Sequence, residues 1–303
     1  MRKTFRSLID LLDYFKDQDT CIEYLERRRW GKNITCPHCG HHSPYRTNRG
    51  FKCSSSDCYK KFSVISGTIF ENTKLPLRVW FAAIYLCTSH KKGISSLQLS
   101  RDLNISQKSA WFLLHRIREM MADTGLLDGV VEIDETYIGG EPKNRHKSKR
   151  KKSENVDGRA TKKSPVLGIL QRVGNVFLAP IKDASVDTLS DSVKSKVEKH
   201  STIITDGWTG YYYLAKCYNH EVVEHNHGEY VRDEFHINSV EGLFSMLKRG
   251  IIGIYHQVSK KHLARYCNEF SYRYNTRRMK DNFRFRDVFN NVERRLKYID
   301  LIS

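Results

Sequence analysis

The sequence predicts an α/β chain of the α+β, multidomain kind. Three observations carry that expectation: paired-cysteine turns near the N-terminus, helical apolar spacing over residues 75–121, and a change to strand alternation at Gly129. Beyond Gly129, apolar strands are interleaved with helical stretches, as in a mixed sheet flanked by helices. At 303 residues the chain holds two or three domains. The expected order is an N-terminal helical segment (1–30), a metal-binding knuckle (31–73), a helical region (74–126), a sheet domain (127–280) carrying a basic arm at 141–165, and a tail helix (281–303).

Hydrophobic residues make up 39% of the chain and aromatic residues 11%, which excludes a disordered polypeptide. Lysine and arginine outnumber acids by 52 to 34, for a formal charge of +18. So large a surplus points to a polyanionic partner, because each neutralised phosphate releases counterions. No apolar run approaches the ~20 residues needed to span a bilayer. Asp10 and Asp13 interrupt the first apolar stretch, which argues against a signal peptide. The expectation is no membrane partner and a cytoplasmic chain, nucleoid-associated in a bacterium or nuclear in a eukaryote. In a reducing compartment the scattered Cys21, Cys87, Cys217 and Cys267 read as small buried hydrophobes.

Residues 4–30 show helical apolar spacing and end in Arg27, Arg28, Arg29 and Trp30. Next come Cys36-x2-Cys39 and Cys53-x4-Cys58, separated by 13 residues able to form a hairpin. Each turn offers two sulfurs, and together they complete a closed tetrahedral site for one structural zinc ion. Gly40, Tyr45, Phe51 and Phe62 fit a zinc ribbon, and the four cysteines leave no place in the shell for His38, His41 or His42. Further on, residues 95–103 read as a helix, Asn104 and Ile105 as a turn, and Ser106 as the cap of a second helix through Met121. That second helix bears Gln107, Lys108, His115, Arg116 and Arg118. The pair suggests a helix-turn-helix reader of DNA, with Gln107, Lys108 and Arg116 as candidate contacts. An ordinary helical hairpin in a packed core is the alternative.

In GVVEIDETYIGG the alternation puts Asp134 within a strand. VLGILQRVGNVFLAPI reads as a hairpin turned at Gly174 and Asn175, and 187–199 as a helix. The strand STIITDGW ends on Asp206, and HINSVEGLFSMLKRG is an amphipathic helix with Glu241 in its first turns. A strand acid, a strand-end acid and a helix acid can converge on one face of a mixed sheet. Phosphodiester cleavage gives such acids a use. It needs an activated nucleophile and neutralisation of charge on the attacked and leaving oxygens, which two Mg²⁺ or Mn²⁺ ions about 4 Å apart provide through oxygen ligands. Isolated acids are common, so spacing alone leaves the set open.

The blocks EIDETYIGG, ITDGWTGY and HINSVEGLFSMLKRGIIGIYHQVSKKHLARYCNEFSYRYN resemble the DDE insertion-sequence transposases, in particular the zinc-ribbon-bearing bacterial group related to eukaryotic Merlin elements. The resemblance runs from Cys36 to about Tyr274. It implies a ribonuclease-H-like catalytic domain, a cut-and-join reaction on double-stranded DNA at element ends and target, and two catalytic Mg²⁺ or Mn²⁺ ions beside the structural zinc. Holding two ends at once implies a homodimer or larger assembly. Carried over by position, the triad is Asp134, Asp206 and Glu241. Lys248, two turns beyond Glu241 on the same helical face, matches the basic residue that follows the third acid and would hold a phosphate. Members of the group differ at the third position, where asparagine is one option. Asn238 lies three residues before Glu241, but its amide oxygen lacks the charge of a carboxylate, so Glu241 is preferred. Glu132 and Glu135 are expected to point away from Asp134, as exposed acids or partners of the basic loop. A non-catalytic DNA-binding regulator and a metal nuclease that cuts without joining are the rival functions.

The segment 141–165 carries ten Lys and Arg against three acids and reads as an arm gripping the DNA backbone, with Lys149, Arg150, Lys151 and Lys152 as contacts. His220, His225, His227 and His236 read as sheet or rim residues, and Tyr211, Tyr212 and Tyr213 as core.

Overall fold

The computed structural model describes residues 5–123, 125–139, 163–223 and 235–302. They fall into two compact units, Met1–Ala122 with Arg278–Ser303, and Asp123–Arg277.

In the first unit, the side chain of Ser7 caps α1 (Leu8–Tyr14) and that of Asp17 caps α2 (Gln18–Trp30), so the N-terminal helical stretch is two helices. Three short antiparallel strands follow: β1 (Tyr45–Thr47), β2 (Gly50–Lys52) and β3 (Lys61–Phe62). At Gly50 the backbone has φ +131°, and a Cβ there would lie 2.5 Å from the Phe62 carbonyl oxygen, so only glycine fits this crossing. Trp30, Phe51 and Phe62 pack together beneath the cysteines.

α3 (Leu77–Ser89) is apolar on nearly every side and is buried accordingly. Around its Trp80 and Phe81 gather Phe15, Tyr24 and Phe70, largely edge to face. Two rings of this cluster, Phe285 and Phe289, come from the far end of the chain. Residues 281–303, expected as a tail helix, form α9 (Asp281–Val288), a 3-10 turn (Phe289–Asn291) and α10 (Tyr298–Ile302), and they complete this core. Between α3 and that return lie α4 (Ser96–Leu103) and α5 (Gln107–Met120). Asn104 in the left-handed conformation ends α4, and the Ser106 side chain accepts from the Ser109 N–H to start α5. The tight turn expected between two short helices is present.

The second unit is built on a five-stranded sheet of order β6-β5-β4-β7-β8. β4 (Val130–Ile138), β5 (Ser164–Gln171) and β6 (Val176–Pro180) run antiparallel, whereas β4, β7 (Thr202–Asp206) and β8 (Asn219–Val223) are parallel. α6 (Val186–Lys194) connects β6 to β7, and a 3-10 helix (Thr209–Lys216) connects β7 to β8. α7 (Asn238–Gly250) and α8 (Leu263–Asn275) follow. This is the mixed-sheet, ribonuclease-H-like arrangement expected.

Strand alternation divides the core in two. Val131, Ile133, Leu167, Ile169 and Ile203 face α6 and the 3-10 helix. Val166, Leu170, Leu178 and Ile204 face Val240, Leu243, Phe244 and Leu247 of α7 and Phe270 of α8. Gly168, opposite Asp134 in the β4–β5 pairing, lets α7 come this close: a Cβ there would lie 2.6 Å from the Phe244 ring and 3.0 Å from Val240. Two expectations of burial fail. Cys217 is exposed, unlike Cys21, Cys87 and Cys267, and Tyr212 and Tyr213 are exposed while Tyr211 is buried. All three exposed residues lie in or just after the 3-10 helix, whose short turns place only Gly210, Tyr211 and Leu214 inward. Among the described residues no helix is long and apolar enough to cross a membrane.

Gly168→Ala should cost about 1–3 kcal/mol, the usual penalty for overpacking. Urea denaturation measures it, and Phe244→Leu in the same chain should recover part of the loss.

Candidate functional site

The N-terminal centre is formed by two turns of backbone. The Gly40 N–H donates to the Cys36 carbonyl and the Cys58 N–H to the Ser55 carbonyl, so each loop closes on itself and turns its sulfurs inward. All four Sγ atoms of Cys36, Cys39, Cys53 and Cys58 lie within 4.8 Å of one another. Cys39 and Cys53 are 3.5 Å apart, Cys36 and Cys58 4.0 Å. A tetrahedron with Zn–S bonds of ~2.3 Å has edges of roughly 3.8 Å, so the donors fit one zinc ion.

The second centre sits on the α7 side of the sheet. β4 and β7 pair with Glu132 opposite Ile204, and the same offset carried two residues further sets Asp134, in the middle of β4, opposite Asp206, the last residue of β7. Asp134 accepts from the Glu135 N–H at 2.7 Å and Asp206 from the Trp208 N–H at 3.1 Å. Glu241 stands in the first turn of α7, on its exposed side with Asn238, and Lys248 is exposed further along the same helix. The acids feel one another. Burial, then the carboxylates of Glu135, Asp206 and Glu241, push Asp134 from the ordinary 3.8 up to about 8, against the Glu135 N–H bond that favours its charged form. Among the described residues, only the four cysteines converge on a single point as ligands; the three acids form no such closed cage. Hard oxygen donors around a carboxyl destabilised by its neighbours nevertheless fit divalent cations, whose charge would offset that repulsion.

Several expectations are corrected. Glu132 shares the face of Asp134, since residues two apart on a strand point the same way, and it is fully buried. Its carboxylate accepts from Arg172 Nε at 3.0 Å and from the Ser239 N–H at 3.0 Å. The two-residue spacing was the signal available in the sequence. Glu135 points to the opposite face, where it accepts a hydrogen bond from the buried Tyr211 hydroxyl. Arg116 is no DNA contact: it is 5% exposed, and it donates to the carbonyls of Leu296 at 2.9 Å and Glu71 at 3.1 Å. Burial, then Arg295, lowers its pKa to about 10. His115 and Arg118 are buried as well, because the C-terminal part of α5 faces its own core. Gln107 and Lys108 remain exposed at the start of α5. Lys149, Arg150, Lys151 and Lys152 lie outside the described residues, as do His225 and His227.

The purified chain should carry about one zinc ion, and Cys53→Ala should lose it, as elemental analysis will show. The Asp134 shift sets a pH dependence. Because the folded value is the raised one, the stability this carboxyl contributes is full below about pH 4 and is lost as pH rises through about 8. In EDTA, Asp134→Asn should therefore melt with wild type near pH 4 and a few degrees above it at pH 8–9. Parallel Tm profiles for the two proteins would contradict this.

Comparisons with known proteins give two domain matches and one relative. The ISXO2-like transposase domain matches residues 126–275 and the transposase zinc-ribbon domain residues 16–61. The chain is also 29% identical over 273 residues, 86% of its length and 91% of the relative's, to an uncharacterized protein in transposable element ISH50 of Halobacterium salinarum. With its sheet domain and its ribbon both matched, the chain belongs to the zinc-ribbon-bearing ISXO2-like DDE transposases.

Proposed function

We propose that this transposase binds the terminal repeats of its insertion sequence, nicks the DNA by metal-assisted hydrolysis and joins the freed 3′-hydroxyl ends to target DNA. What carries the reading is the coupled set of acids on one side of the sheet: Asp134 in the middle of β4, Asp206 at the end of the adjoining β7, and Glu241 on α7. Asp134, Asp206 and Glu241 would together hold the divalent ions through their carboxylate oxygens. Bound Mg²⁺ or Mn²⁺ would supply the positive charge that activates the attacking oxygen and offsets charge on the scissile phosphate. Glu241 is favoured over Asn238 as third ligand because its charge enters the field at Asp134. Lys248 is assigned to a DNA phosphate on the same helix.

For recognition, Gln107 and Lys108 are assigned to the element end, because the first residues of the second helix are those that reach base edges in helix-turn-helix readers. The basic segment 141–165 is assigned to the DNA backbone by its charge alone. Two ends are held together only if at least two chains assemble, so a homodimer or larger complex is part of the proposal. A nucleophilic serine or tyrosine is not needed, since water and then a 3′-hydroxyl attack in line.

The test uses the full chain, Asp134→Ala, element-end DNA, Mg²⁺ and a target plasmid. Joined products from wild type that fall at least a hundredfold in Asp134→Ala, with end binding retained, are the expected outcome. Cuts without joining would favour a nuclease, and equal behaviour of the two proteins a non-catalytic regulator.

A further inference from the structure

Glu132 Oε2 accepts from the backbone N–H groups of Ser239 at 3.0 Å and Val240 at 3.1 Å. Its Oε1 accepts from Ser239 Oγ and Arg172 Nε, each at 3.0 Å. The Arg172 guanidinium also donates to the His236 carbonyl at 3.1 Å, and His236 Nδ1 lies 3.4 Å from Glu132 Oε1. The N-terminus of α7 is thus served from β4. Its own cap residue, Ile237, makes no side-chain cap bond.

A fully buried carboxylate is costly unless its charge is matched and its lone pairs are filled. A serine or aspartate at position 237 could cap the helix without that cost. What the distant carboxylate adds is geometric: the first turn of α7, which carries Asn238 and Glu241, is tied to the strand that carries Asp134. We propose that Glu132, with Arg172, is a positioning residue for the carboxylate centre, fixing the distance from Glu241 to Asp134. The proposal rests on the metal-binding roles assigned to those two acids. Further along α7, the apolar packing of Leu243, Phe244 and Leu247 holds the helix on the sheet, so loss of the clamp shifts the first turn rather than releasing the helix.

Glu132→Gln keeps the size and removes the charge. Whichever way the amide is turned, its NH2 meets a donor, either Arg172 or the two backbone N–H groups. The first measurement is Mn²⁺ affinity of the DNA-free protein, from the electron paramagnetic resonance signal of free Mn²⁺. The second is joining of element-end DNA across a Mn²⁺ series. Affinity is expected to weaken about tenfold, as for residues that orient metal ligands. Joining should fall at low Mn²⁺ and largely recover at high Mn²⁺, with end binding as in wild type. Unchanged affinity and joining overturn the proposal, and so does a joining defect of the same factor at every Mn²⁺ level with affinity kept. If Glu132→Gln does not fold, Ser239→Ala, which deletes only the Oγ bond, takes its place with a shift of about two- to threefold. Asp134→Ala run alongside separates the two readings. Should it keep both Mn²⁺ affinity and joining, the metal centre itself is misassigned. Should it lose both while Glu132→Gln matches wild type, only the positioning role fails.

Discussion

The close approach of α7 to the sheet governs the second unit. Gly168 leaves the space, Val240 and Phe244 fill it, and Leu243 and Leu247 continue the contact along the helix. Because α7 leans on the step opposite Asp134, the polar side of its first turn is brought up to the middle of β4, beside the end of β7. Apolar packing sets the height of the helix above the sheet. The Glu132 carboxylate, through two N–H bonds and a hydroxyl, sets where along the strand its first turn stops. A non-directional force and a directional one therefore divide the work of placing a single acid.

The cysteine cluster and the carboxylate set differ in kind. Four thiols brought within one ion's reach, on loops tied by their own backbone bonds, leave no open position, which suits an ion that only holds structure. The carboxylates are arranged otherwise: they are half-buried or exposed, and burial, then the neighbouring carboxylates, raises Asp134 to about 8.

What was legible in the sequence follows from the range of the forces involved. The cysteine spacing, the Ser106 cap, the Asn104 turn and the strand ending on Asp206 depend on neighbours within a few residues, and each could be read. Convergence of Asp134, Asp206 and Glu241 depends on strand order, and only family resemblance reached it. Arg116 shows the limit: a cation on an apparent reading helix looks like a phosphate contact until the carbonyls of Leu296 and Glu71 occupy it. Burial of Glu132 was readable in part, since alternation alone puts it beside Asp134. Its partners, 40 and 107 residues away, were not.

Phe285 and Phe289 close the aromatic core around α3, while Arg28 and Arg29 bond to Arg286, Asn290 and Glu293. The sheet unit is inserted between the two segments that make up the first unit. Timing of synthesis follows from that. The sheet unit is complete in sequence once residue 277 is made, whereas the helices made first wait for the last part of the chain, roughly ten to thirty seconds after residue 122 at ordinary translation speeds. A message cut short, or an element copy that has lost its 3′ end, yields a chain whose N-terminal aromatic core stays open.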